Sequence, residues 1–125
     1  MFSRVYVGDV AAAVSLALGG EFLGAFNLAE ASTAPYRLFA EQILEAAGVS
    51  EVELVKVRDD LLPEDLELTG ALTQHLLVDP SKARAVLGWS PVDPAASLVK
   101  SVRWHLENPP AGASEDFSAD DAVLD

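Results

Sequence analysis

Residues 79–110 constrain the fold more than any other part of the chain, because they contain two helices with clear beginnings and ends. Asp79 can cap a helix that has Pro80 at its first position, where the missing N–H of proline costs no hydrogen bond. Gly88 suits the left-handed residue that ends such a helix, and the large apolar Trp89 follows it. The pattern predicts a short helix that ends against a buried tryptophan.

The second helix begins at Asp93 and Pro94, which repeat the start of the first one. Its apolar residues recur at helical spacing and predict one buried face: Leu98, Val99, Val102 and Leu106, with Trp104 at the flank. Asn108 and the two prolines after it end the helix. Taken singly, these residues predict two packed helices and carry no chemistry of their own.

Four segments taken in order identify a family. The closing pattern is D-x-S-K-A-R-x-x-L-G-W-x-P, followed by a helix that ends W-H-L-E-N-P. Upstream lie R-V-Y-V-G-D-V-A-A-A at residues 4–13, G-A-F-N-L-A at residues 24–29, and a helical pattern over residues 34–48. Together they resemble the C-terminal part of the extended short-chain dehydrogenase/reductases, the NAD-dependent sugar-nucleotide epimerases and dehydratases.

The resemblance implies an α/β to α+β fold with a small sheet and about four helices, without the Gly-rich half that binds the cofactor. Four segments predict short strands: residues 4–7, 25–29, 52–57 and 76–78. Two further helices are predicted, one over residues 10–18 (Val10 to Leu18) with Asp9 as its cap, the other from Ser32 or Thr33 to Gly48, with Tyr36, Phe39, Ile43 and Ala47 buried. Residues 58–74 predict an irregular connection with a helical turn near residues 63–66.

Charge and composition exclude several classes of function. The 125 residues contain 20 acids, 8 bases and no cysteine, for a net charge of −12. Such a balance argues against nucleic acid and anionic membrane surfaces as partners, since both attract basic patches. The absence of cysteine excludes disulfides and thiolate metal sites and favours a cytoplasmic protein. We divide the chain into a substrate-binding portion, residues 1–110, and an acidic tail, residues 111–125, which its composition predicts to be disordered.

The groups that perform the chemistry of the resembled family are missing from the sequence. The only Gly pair, Gly19 and Gly20, follows a helix, so there is no G-x-x-G-x-x-G turn after a strand to approach a pyrophosphate. Neither Tyr6 nor Tyr36 has a lysine four residues later, so the catalytic Tyr-x-x-x-Lys pair is absent. We expect no catalytic residue and no bound cofactor in this chain alone, whereas NAD(P) is expected for the full-length family.

Three residues are candidates for contact with a substrate. The family places diphosphate-binding arginines before the h-h-V-x-D segment and before the D-x-S-K motif. This chain has Arg4 near the first place, displaced by two positions, and Gln74 and His75 at the second. A diphosphate favours permanently charged, bidentate donors, so these residues predict a less charged, sugar-like substrate. No histidine or carboxylate spacing predicts a metal site.

Three hypotheses follow. The chain is the substrate-binding C-terminal portion of an epimerase/dehydratase-like oxidoreductase, not competent alone. Alternatively, it is a non-catalytic interaction protein that forms a homodimer or docks on a cofactor-binding partner through the nearly all-apolar helix over residues 10–18, a surface that must be covered. A third hypothesis is a free-standing enzyme that binds a small molecule near Arg4 and His75.

Overall fold

In a computed structural model, the residues that the structure describes, 1–62, 75–112 and 116–124, form helices joined by extended and irregular segments. There are five α-helices in these ranges: α1 (Val7–Leu18), α2 (Tyr36–Ala47), α3 (Ser81–Leu87), α4 (Pro94–Glu107) and α5 (Ser118–Leu124). One turn of 3-10 helix spans Asp59–Leu61. The helical turn expected near residues 63–66 lies outside the described ranges.

The predicted α/β to α+β fold with a small sheet is wrong, because no strand forms in the described ranges. A single parallel bridge joins Phe2 to Leu76, with Ser3 N donating to Leu76 O at 2.8 Å. On the other side, Glu30 N donates to Arg4 O at 2.7 Å. Apart from Val7, which begins α1, and the bridge at Leu76, the predicted strand segments have no regular secondary structure, because a strand also needs a partner that continues over several residues. These segments meet for one or two hydrogen bonds and then diverge.

Helix α1 begins three residues earlier than expected, and Asp9 is not its cap. Asp9 lies in the first turn and is only 3% exposed. Its Oδ1 accepts a hydrogen bond from Val92 N at 3.0 Å, and its main-chain oxygen accepts one from Trp89 Nε1 at 2.8 Å. An acidic side chain in the first turn is favoured by the helix dipole, so the position stabilises α1 while its carboxylate reaches another segment.

The core lies between α1 and α3. Its buried residues are Ala13 of α1, Ala83 and Leu87 of α3, and Trp89, while Ala17, Phe26 and Leu28 pack against it. The alanines at the contact have short side chains, which allow the two helices to approach closely around the indole ring. Gly88 has a φ of 65°, which confirms the predicted left-handed end of α3 and explains how the chain turns to insert Trp89.

Helices α2 and α4 form the second packed pair. The predicted cap of α4 is confirmed, since Asp93 Oδ2 accepts a hydrogen bond from Ala96 N at 3.0 Å. Gly48, with a φ of 73°, ends α2 as expected, but α2 begins at Tyr36, after Pro35 rather than at Ser32 or Thr33. Pro35 is the N-cap, and a proline disfavours the helical conformation of the residue before it, here Ala34, which explains the later start.

The faces predicted to be buried in this pair are only partly covered. Tyr36 of α2 and Trp104 and Leu106 of α4 are more than half exposed, and the other predicted core positions of the two helices are half-buried. Of the described residues, only five apolar ones are buried, namely Ala13, Ala29, Ala83, Leu87 and Trp89. The chain exposes 9432 Å², whereas a compact monomer of its mass exposes roughly 6400 Å².

Helix α5 lies at the C-terminal end of the described ranges. It falls within the acidic tail and has no buried residue, and the division of the chain at residue 110 stays a prediction.

Asp79 Oδ1 accepts hydrogen bonds from Ser81 Oγ and Ser81 N, which lower the pKa of the Asp79 carboxyl from its ordinary value. The predicted cap is therefore wrong by one residue: α3 begins at Ser81 with Pro80 as its N-cap, and Asp79 binds Ser81 from the position before the cap.

Replacing the buried tryptophan tests whether the α1–α3 contact holds the fold. Trp89→Phe should lower the free energy of unfolding by about 1–3 kcal/mol, since it removes the indole donor to Asp9 and part of the core volume. The matched change Trp104→Phe, at a side chain 57% exposed, should alter it by about 0.5 kcal/mol or less. Urea denaturation followed by circular dichroism measures both, and equal effects would contradict the role assigned to Trp89.

Candidate functional site: a groove between two helices

An open groove of about 780 Å³ lies beside the α2–α4 pair. That volume falls in the range of small-molecule sites, about 300–1000 Å³. The extended segment around Arg4 and the start of α4 contribute to its lining, as does one side of α2. Its charged lining residues are Arg4, Glu30, Glu45, Asp93 and Arg103.

Arg4 lines this groove and is held in place by two neighbours. Its guanidinium carbon lies 3.8 Å from the centre of the Phe39 ring, and its Nη2 lies 3.3 Å from Glu30 Oε2. The side chains of Arg4 and Glu30 are only 26% and 11% exposed. Arg4 Nε and Glu30 Oε2 are buried and make no hydrogen bond within the described residues. The pair is therefore a mostly desolvated contact in which the charge of Arg4 is already neutralised.

The charges that line the groove do not favour a strongly anionic ligand. Two arginines face three carboxylates, so the formal charge of the lining is 2 − 3 = −1. One of the two arginines, Arg4, already has a carboxylate partner. A diphosphate would meet net repulsion here, whereas a neutral, hydroxyl-bearing molecule would not. The groove is thus compatible with the less charged substrate that the sequence predicted.

The structure does not bring the other two candidate residues into this groove. His75 is exposed, and its Nδ1 lies 3.0 Å from the amino nitrogen of Met1. It precedes Leu76, whose bridge to Phe2 keeps the two segments adjacent, but it is absent from the groove lining. Gln74 lies outside the described residues. A role in ligand contact stays a prediction for all three residues.

Several residues that shape the groove were missed in the sequence. Glu30 lies 26 positions after Arg4, and no local pattern links the two. Ser97 and Ser101 lie one turn apart on the groove side of α4, and their hydroxyls donate to Pro94 O and Ser97 O. Two serines four residues apart on an otherwise apolar face were the available signal. Within the described residues, no group of three histidines or carboxylates is placed to hold a metal ion.

A second feature of functional interest is the outer face of α1, which we define as Val7, Ala11, Val14 and Leu18. The three larger side chains are 74%, 53% and 83% exposed, and the spacing of the four residues places them on one side of the helix. The only charged residue of α1, Asp9, is buried on the other side. Ser15 satisfies its hydroxyl by donating to Ala11 O at 3.0 Å. The α1 outer face is therefore apolar, uncharged and exposed.

Comparison with known proteins leaves the family open. No protein-family model, curated protein or solved structure matches this chain. The resemblance to the extended short-chain dehydrogenases therefore depends on the four sequence segments alone. What the structure adds is where these segments lie relative to one another.

Neutralising Glu30 tests the ion pair of the groove. Glu30→Gln should lower the free energy of unfolding by about 1–3 kcal/mol, because the half-buried Arg4 loses its charged partner. The control is Glu41→Gln, which breaks the exposed pair with Arg37 on α2 and should cost about 0.5 kcal/mol or less. Thermal and urea unfolding of both variants measure the difference, and a cost for Glu30→Gln no larger than the control would contradict the desolvated pair.

Proposed function

We propose that this chain is the substrate-binding C-terminal portion of an NAD(P)-dependent epimerase/dehydratase-like oxidoreductase and is not catalytically competent alone. The observation that carries the proposal is that segments chosen by resemblance contact one another. Asp9, from the first segment, binds Trp89 and Val92 of the closing segment. Lys82 of the closing segment donates to Ala25 O at 2.9 Å, within the G-A-F-N-L-A segment.

These contacts support the proposal because they connect motifs that are far apart in the sequence. The Asp9–Trp89 bond spans 80 positions and the Lys82–Ala25 bond spans 57. Lys82 Nζ also lies 4.4 Å from the centre of the Phe26 ring. A chance resemblance of four short segments would not require them to meet. The contacts place the resembling segments in one packed unit, although the small sheet that the resemblance implied does not form in the described ranges.

In this proposal, the groove beside Arg4 receives part of a neutral, sugar-like substrate. The chain's own residues would bind and orient the ligand, with Arg4 held between Phe39 and Glu30 as a fixed donor. The missing domain would hold NAD(P), which supplies hydride transfer. A cytoplasmic location is part of the proposal and depends on the absence of cysteine. No helix of the described ranges has the length and apolar character to cross a membrane.

The α1 outer face would dock on the cofactor-binding domain. An uncharged apolar stripe on a protein with a net charge of −12 needs cover. The face is about 18 Å long and about 10 Å wide, on the order of 200 Å². A stable interface between separate proteins buries about 800 Å² on each partner. A neighbouring domain already tethered to the chain can be held by a smaller contact than a free partner needs.

The second candidate is a non-catalytic interaction protein that forms a homodimer or binds a cofactor-domain partner through α1. The same exposed face favours it. A homodimer through this face alone is less well supported, because the area is small. Light scattering distinguishes a homodimer through α1 from a chain whose α1 docks on a cofactor-binding domain. A dimer that is lost in Val14→Lys with Leu18→Lys would favour the homodimer over the tethered domain.

Cofactor binding by the isolated chain tests the first proposal. Titration with NAD⁺ and with NADPH in a calorimeter should give no binding heat up to millimolar ligand, because no Gly-rich turn is available for the pyrophosphate. A short-chain dehydrogenase with its complete cofactor domain serves as the positive control. Saturable binding of either cofactor would overturn the statement that a separate domain must supply it.

A fluorescent apolar probe tests the α1 outer face. The dye anilinonaphthalene sulfonate should bind the native chain, and Val14→Lys with Leu18→Lys should reduce its fluorescence by more than half. The control places two lysines elsewhere, Leu38→Lys with Val86→Lys, at side chains 46% and 47% exposed. It adds the same charge and should cause a much smaller loss. Equal losses in the two variants would contradict a docking surface on α1.

A further inference from the structure

The outward side of α4 carries an exposed aromatic residue beside two cations. Trp104 is 57% exposed and, with Lys100 and Arg103, lines a shallow depression of about 420 Å³. We call these three residues the α4 patch. Glu107, one turn further along, also lines the depression and is its only acid. An aromatic ring beside two cations suits a ligand that combines an apolar group with negative charge.

The two cations of the patch have no carboxylate partner among the described residues. The ion pairs found there involve Arg4, Arg37 and Arg58. Lys100 instead lies over the Tyr6 ring, with its Nζ 5.6 Å from the ring centre. Lys56, Lys82 and Arg84 also make no ion pair within the described ranges. What distinguishes Lys100 and Arg103 is that they line one depression together with the exposed Trp104. A segment with several acidic side chains would complement the positive charge of the patch.

The chain itself contains a segment of matching chemistry at residues 116–124. It holds three aspartates, Asp116, Asp120 and Asp121, and no base. Its largest apolar side chains, Phe117 and Leu124, are each 59% exposed. Asp121 N donates to Phe117 O at 2.9 Å, so Phe117 belongs to the first turn of α5. Phe117, Asp121 and Leu124 then share one face, with an acid between two apolar groups.

We propose that the α4 patch binds residues 116–124 of a second copy of this chain. Phe117 would lie against Trp104, and the aspartates would lie near Lys100 and Arg103. Trp104, Phe117 and Leu124 are all more than half exposed, so the chain's own segment leaves the patch open. A two-fold pairing satisfies two patches at once, because each copy supplies one segment and one patch. The inference does not depend on the proposed oxidoreductase function, because it needs neither a bound substrate nor α1, although Arg103 lines both the groove and the patch.

Complementation between two full-length variants tests this pairing. Sedimentation and light scattering should show wild-type mass rising with concentration from 13.2 kDa toward twice that value. Lys100→Glu with Arg103→Glu, and separately Phe117→Ala with Leu124→Ala, should each weaken association at least tenfold. An equal mixture of the two variants retains one intact patch and one intact segment. The mixture should therefore associate more strongly than either variant alone.

A variant with the same charge change away from the patch serves as the control. Lys56→Glu with Arg84→Glu makes the same charge change away from the patch and should leave association intact. Val14→Lys with Leu18→Lys should also leave it intact, which separates this contact from the α1 outer face. A wild-type chain that stays monomeric at millimolar concentration, or a mixture no better than its components, overturns the proposal. A monomer whose Trp104 emission responds to Phe117→Ala would show contact within one chain and would also overturn it.

Discussion

The fold depends on the contact between Asp9 and the turn that follows α3. One residue accepts two hydrogen bonds there, a buried one from the Trp89 indole and a partly buried one from the main chain of Val92. Its second carboxylate oxygen, Oδ2, is buried without a hydrogen-bond partner among the described residues. A buried carboxylate is costly unless its contacts compensate. Asp9 therefore connects α1 to the segment before α4 at a cost in desolvation free energy. Because its hydrogen bonds are directional, the connection fixes one arrangement of the two segments, which apolar contact alone would not do.

The two helix pairs have different physical characters. The α1–α3 pair contains the fully buried residues, whereas the α2–α4 pair is half-covered and borders the groove. A well-packed part and a loosely covered part in one small chain are consistent with a unit that completes its second surface on something else. Arg4 marks the boundary, since its guanidinium is stacked on Phe39 of α2 while its main-chain oxygen pairs with Glu30.

Local signals in the sequence predicted the C-terminal ends of the helices and the cap of α4 well, the beginnings of α1, α2 and α3 less well, and the sheet poorly. The glycines at positions 48 and 88 and the cap at Asp93 act within one turn of chain, so their effect is readable from neighbours. The predicted strands failed because a strand requires a partner from a distant segment, which period-two patterns do not provide. Arg4 was found from its place in a motif. Glu30, its partner, was not, because only the folded chain brings the two together.

The distance along the chain between Asp9 and Trp89 has a consequence for how the protein is made. Helix α1 is synthesised early, yet its core-facing side has nothing to pack against until residues 81–92 follow. Closing so long a loop is slow, and contacts of this range form late in folding. During that interval both sides of a helix whose only charged residue is Asp9 are open to water. The nascent chain is therefore most exposed to aggregation and to chaperone capture before Trp89 has left the ribosome.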